Sequence, residues 1–336
     1  MRRSPLSSGL AAAALGLALS AAAAAAEPIA VVASIKPVHS LVAGVMQGAG
    51  SPHLVVQGGA SPHSTSLKPS DAAALEKAAV VVWVGEGLET FLESAIDTLA
   101  TRAAVVELAE APGLRRLDYR EGGPWAAHEH EEEEHAHAEA GHGHDHEHGH
   151  DHDHEHEHEH GHDEIDMHLW LDPDNAKAMV AAIAEALMQA DPDNSGIYLA
   201  NSKIMAHRLD QLSAEIEADL APVKDIPFVV FHDAYQYLDT RFGLTNVGSI
   251  TVNPEQQPGA ARLKEIHAKI AELGARCVFS EPQFEPRLVQ VVVEGTAART
   301  AALDPLGADI ADGPELYFEL MRRNVASLKA CLGEAS

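Results

Sequence analysis

Short apolar runs alternate with helical patterns along most of this 336-residue chain, and that alternation constrains its fold more than any other feature. "IAVVASI" (Ile29–Ile35), "HLVVQ" (His53–Gln57), "AVVVWVG" (Ala79–Gly85) and "AAVVEL" (Ala103–Leu108) read as buried strands. Between them, "PVHSLVAGVMQG" sets Val38, Leu41, Val42 and Val45 at helical spacing. "KPSDAAALEKA" offers Ser70 or Asp71 as a helix cap, and "LETFLESAIDTL" gives a further helix. Strands separated by helices imply parallel β-α units.

The pattern stops between about Leu117 and Asp163 and resumes with "LDPDNAKAMVAAIAEALMQA", where Asp172 or Asp174 is placed to cap a helix. Ile197, Ile204, Leu209, Leu212, Ile216 and Leu220 then carry a helical stripe with no break before Pro222. From Asn194 to Leu220 that is a rod of about 40 Å, longer than a crossover needs, and it reads as a connector. A second β-α set follows, with strands at "PFVVFHD", "TNVGSIT", "ARCVFSEP" and "RTAALDP" and a closing helix at "ELYFELMRRNVASLKACL". The expected fold is α/β, with two lobes that each hold a mainly parallel sheet flanked by helices, joined by one long rigid helix. The expected divisions are a leader over 1–26, a lobe over 27–190 with an insertion at 117–164, the helix over 191–221, and a lobe over 222–336. No sequence repeat links the halves.

Arg2 and Arg3 precede an apolar Leu10–Leu19 run and Ala21–Ala26, the pattern of a secretory signal peptide cut near Ala26. The run is short and Ala-rich for a bilayer span, which needs about 20 residues. In an oxidising compartment the two cysteines, Cys277 and Cys331, are expected to pair and tie the last helix to a strand; two buried free thiols are the alternative. The formal charge of -28 is concentrated. His128–Asp163 holds fourteen acidic residues and no basic one, and without it the balance is -28 + 14 = -14. Such a surface repels phosphate, which argues against nucleic acid and anionic membrane as partners.

In parallel α/β lobes, ligands gather beyond the carboxyl ends of strands. His232 follows "FVVF", Glu281 follows "CVFS" and Asp304 follows "AAL". His63 lies in "GGASPHSTS" after the second strand, and His168 in "DMHLWLDP" where the fold resumes. A lone histidine is more often structural than a ligand. His207 and His267 sit in amphipathic helices and read as surface residues, and His53 as structural. His39, early in a helix, could at most reach a pocket rim. His63, His168 and His232 differ in lying on turns between structured segments.

With these residues in place, the chain resembles the zinc-binding subunits of bacterial metal ABC transporters, two-lobed solute-binding proteins joined by one rigid helix. "IKPVHSLVAGV", "GGASPHSTSLKPSDAAAL", "VVWVGEGLETFL", "MHLWLDPDNA", "VVFHDAYQYL", "TVNPEQQPGAARL", "CVFSEPQFEP" and "TAALDPLG" carry the resemblance in order over nearly all of the chain after the expected leader. It implies that His63, His168 and His232 bind the metal. Some zinc-type members have Glu directly before the first histidine; Pro62 stands there in this chain, which leaves Asp304 or a water as fourth ligand. The resemblance also implies a Cys277–Cys331 bridge, Zn²⁺ as transported ligand, an inner-membrane ABC permease with its ATPase as partner, a monomer, and the periplasm of a Gram-negative bacterium. Three imidazoles and one oxygen suit tetrahedral Zn²⁺ at about 2.0–2.2 Å, whereas manganese favours more oxygen.

The stretch His128–Asp163 contains fifteen of the chain's 22 histidines. Acidic and of low complexity, it cannot bury apolar area and is expected to be disordered. "HEHGH" and "HEHEH" satisfy the H-E-x-x-H protease pattern only as accidents of a two-residue repeat. His142, His144, His146, His148, His150, His152, His154, His156, His158 and His160 form a weak, multiple zinc-collecting tract that ends shortly before His168. The competing readings are a manganese or broad divalent-metal binder, a zinc hydrolase with Glu281 as base, and a metal-binding surface adhesin.

Overall fold

The computed structural model describes residues 28–120, 165–251, 254, 258–285 and 287–333. The leader and most of the histidine-rich insertion lie outside the described residues. In the first lobe, β1 (Val31–Ala33) leads through α1 (Lys36–Val45) to β2 (His53–Leu54). Next come α2 (Pro69–Leu75), β3 (Val80–Trp83), α3 (Thr90–Leu99) and β4 (Ala104–Glu107). All pairings are parallel, in the order β2-β1-β3-β4. β1 and β3 are buried at every residue, as expected of parallel strands covered on both faces. α4 (Pro173–Ala190) returns to pack on β3 and β4. Asp172 is its cap, accepting the Asp174 N–H at 2.9 Å.

α5 (Ser195–Leu220) is a single 26-residue helix, about 39 Å long at 1.5 Å per residue. It packs on α1 and α4. Its buried stripe is Tyr198, Met205, Leu209, Leu212, Ile216 and Leu220. Ile197 and Ile204, expected in that stripe, are exposed (36% and 58%). Counting back from Leu209 in helical steps reaches 205 and 198, and the positions one residue earlier are turned away by about 100°.

The second lobe runs β5 (Phe228–His232), α6 (Gln236–Phe242), β6 (Asn246–Thr251), α7 (Ala260–Glu272) and β7 (Cys277–Ser280). It closes with α8 (Arg287–Val293), β8 (Arg299–Ala302) and α9 (Leu316–Gly333). Its parallel order, β6-β5-β7-β8, is the permutation of the first lobe. The halves therefore repeat in topology although no repeat is legible in sequence. Cys277 of β7 and Cys331 of α9 form a disulfide with Cα atoms 6.2 Å apart.

One apolar core runs through both lobes, from Val31 and Val81 to Phe228, Phe279 and Leu328. α9 crosses from the second lobe to pack on α1 and α5. Polar bonds reinforce the seam: Trp170 Nε1 donates to the Pro305 carbonyl (2.8 Å), and buried Lys36 Nζ donates to that of Ile310 (2.7 Å). A large apolar seam of this kind opposes free domain motion.

Two local expectations are corrected. α2 is preceded by Lys68 with no side-chain cap, because Pro69 starts the helix. Asp71 instead turns inward, with Oδ1 2.9 Å from His53 Nε2. Residues 117–120, read as the start of the insertion, are tied down. Asp118 bridges Ile165, the Leu117 N–H donates to Tyr237 Oη (3.0 Å), and Arg120 pairs with Asp233 and Asp239. The stem of the insertion is thus fastened to the second lobe beside His232. Among the described residues no helix is long and apolar enough to cross a membrane.

Candidate metal centre

His232 is the last residue of β5, the inner strand where connections leave in both directions. This is the switch point at which open α/β sheets bind ligands. His63 comes from the loop after β2, in a turn held by Thr65 Oγ1 donating to the Ser61 carbonyl (2.6 Å). His168 directly precedes a single 3-10 turn, Leu169–Leu171. One carboxylate oxygen fixes it: Asp166 Oδ1 accepts the His168 backbone N–H at 3.0 Å and lies 2.7 Å from ring Nδ1.

The three rings converge. Their centroids are 5.7 Å (His63–His168), 5.4 Å (His63–His232) and 4.8 Å (His168–His232) apart. One nitrogen from each can be chosen so that all lie within 4.8 Å of one another. The rings are inclined to one another by 46° to 87°, so they meet by their edges and not as a stack. The space they share with Trp170, Glu281 and Gln283 is a cavity of about 10 Å³. That is room for one ion or water beside the rings.

Burial, reinforced by the neighbouring rings, holds His63 and His232 well below the usual imidazole range. Both are therefore neutral at pH 7 and offer lone pairs without first losing a proton. Burial also pushes Glu281 up to about 8. Three imidazole nitrogens on an ion-sized space are a donor set for a borderline transition metal.

Asp304 does not join this group. Its Oδ1 accepts from Gln283 Nε2 (2.8 Å) and from the N–H groups of Leu306 (3.0 Å) and Gly307 (2.9 Å). Its Oδ2 accepts from the Ala308 N–H (2.6 Å). It anchors the turn after β8 through both of its oxygens. Of the other histidines, His39 is buried with Nε2 3.2 Å from the Pro52 carbonyl, and His207 is exposed. His267 lies with Nε2 2.9 Å from the Glu294 carbonyl. The ten tract histidines, His142 to His160, lie outside the described residues. Sequence reasoning passed over Asp166, whose only signal is a carboxylate two residues before a ligand candidate.

Comparison with known proteins gives the same direction. The family model "Zinc-uptake complex component A periplasmic" matches residues 31–331. The high-affinity zinc uptake system protein ZnuA of Brucella suis is 58% identical over 306 residues, covering 90% of this chain and 92% of the relative. The protein of the same name from Yersinia pestis is 36% identical over 303 residues, covering 90% and 91%. A crystal structure of ZnuA shares the fold, with a TM-score of 0.69, 22% identity, and 90% and 100% coverage. A family match over almost the whole described chain, joined to this two-lobed architecture, makes the chain a member of the periplasmic zinc-uptake component A family.

Proposed function

We propose that this protein captures Zn²⁺ in the periplasm and delivers it to an inner-membrane ABC permease driven by its ATPase. The observation that carries the reading is the convergence of three histidines, two of them held neutral by burial, on a space the size of one ion. Three imidazole nitrogens suit zinc at about 2.0–2.1 Å and suit manganese poorly. His63, His168 and His232 are the protein ligands. A water takes the fourth place, because recruiting Asp304 would break the bonds that anchor its turn. Membership of an uptake family supports a binding role over an enzymatic one. The disulfide fits an oxidising compartment.

The histidine-rich tract collects zinc weakly and hands it to His168, which follows shortly after the tract's last histidine, His162. Because the lobes share one core, zinc exchange proceeds by movement of the loops bearing His63 and His168 rather than by closure of whole lobes. Competition titration with Zn²⁺ and Mn²⁺ on the wild type and a His63→Ala/His232→Ala variant tests the assignment. Tight, zinc-selective binding is expected in the wild type and its loss in the variant; a variant that still binds zinc tightly would overturn the ligand set. Deleting 128–162 is expected to lower the number of zinc ions bound and leave one tight site.

A further inference from the structure

Two carboxylates stand behind the histidine rings rather than among them. One is Asp166, bonded to His168 Nδ1. The other is Glu281, whose Oε2 lies 3.7 Å from Nδ1 of His232. The sheet itself creates this second pairing: β5 and β7 are hydrogen-bonded neighbours, His232 ends the first, and Glu281 follows the second. Glu281 is 3% exposed and lines the metal cavity. Its carboxylate has the Tyr235 hydroxyl and the His232 backbone N–H as neighbours, whereas Nδ1 of His232 has no hydrogen-bond partner among the described residues. The unpartnered ring nitrogen faces that buried carboxylate. Leaving the nitrogen unmet is costly, and a shift of under about 1 Å brings the pair to bonding distance.

We infer that Glu281 is a positioning residue for the metal, taking the Nδ1–H of His232 as Asp166 takes that of His168, so that both rings present Nε2 to the ion. This rests on the zinc-binding reading above. A metal-bound imidazole nearly always donates its second N–H to a carboxylate, carbonyl or water, which fixes the tautomer and raises the basicity of the coordinating nitrogen. Glu281 acts through His232 and not as a ligand: its oxygens do not belong to the group of atoms lying mutually within 4.8 Å, and it approaches the ring from the Nδ1 side. The first lobe's ligand His168 and the second lobe's ligand His232 thus have the same support, a buried acid on Nδ1, from unrelated stretches of chain.

The test uses the full mature chain carrying Glu281→Gln, a replacement of nearly equal volume. Chelator competition is expected to show zinc affinity reduced about 10–100-fold, while the visible spectrum of the Co²⁺-loaded protein keeps its wild-type band positions and intensity. Unchanged zinc affinity would overturn the inference. So would a Co²⁺ spectrum with altered coordination, which would make Glu281 a ligand. A measurement independent of any variant is the long-range ¹H–¹⁵N spectrum of the zinc-loaded wild type. His232 is expected to carry its proton on Nδ1 and bind through Nε2, and the reverse arrangement would overturn the inference. Failure of the zinc-site reading itself is distinguishable, because it appears as wild-type affinity in His63→Ala and His232→Ala.

Discussion

The Tyr317 hydroxyl donates a 2.7 Å hydrogen bond to the carbonyl of Trp170, joining the last helix to the turn that follows His168. The two residues are 147 positions apart and both fully buried. The bond ties a second-lobe element to the segment that positions a first-lobe ligand. Tyr317→Phe leaves that carbonyl without a partner and is expected to cost about 1–3 kcal/mol, read by urea denaturation of the zinc-free protein. Because this bond closes a continuous core, small-angle scattering is expected to give the same radius of gyration with and without zinc. A clear contraction on loading would contradict a locked seam.

Asp166 is fully buried and serves His168 twice, through ring and backbone. Asp166→Asn keeps the size but weakens the acceptor. Zinc affinity is expected to fall about 10–100-fold, with a smaller loss for Asp166→Asn than for Asp166→Ala. Isothermal titration with a competing chelator measures both.

The depressed affinity of His63 and His232 for protons has a defined sign. An ordinary imidazole is half protonated near pH 6.5, and burial holds these two well below that. Unfolded rings take up protons as the pH falls through 6.5 while the folded rings do not, so the pair favours unfolding progressively below 6.5. Proton competition with zinc at these two rings begins only at still lower pH. Long-range ¹H–¹⁵N spectra of the zinc-free protein at pH 6.5 are expected to show both rings neutral; an imidazolium signature for either would refute this.

The Cys277–Cys331 bridge closes a sequence separation of 54 residues and ties α9 to β7. Loop-closure entropy for that length corresponds to about 4 kcal/mol. Replacing both cysteines with alanine is expected to lower stability by about 2–4 kcal/mol, seen as a lower denaturation midpoint. Zinc affinity measured under folding conditions is expected to persist, since neither cysteine belongs to the histidine group.

The strand and helix alternation was legible because buried parallel strands and amphipathic helices impose distinct periods on apolar residues. The connector was legible for the same reason, although only packing decided that Tyr198 and Met205, not Ile197 and Ile204, face inward. His63 and His168 could be singled out from their places on turns, His232, expected on a turn but found to end β5, from its place at the carboxyl end of a strand, and all three from the family resemblance. Their convergence could not, because it depends on how two lobes seat against each other across a shared core. Nor could the contrast between Asp304 and Glu281, two carboxylates at neighbouring strand ends. Backbone N–H groups of the following turn engage the first, while the second is left facing a histidine nitrogen. Sequence determines which groups are available. The partners that the folded backbone brings to each group decide which remain free for a metal, because a buried polar group is defined by what satisfies it.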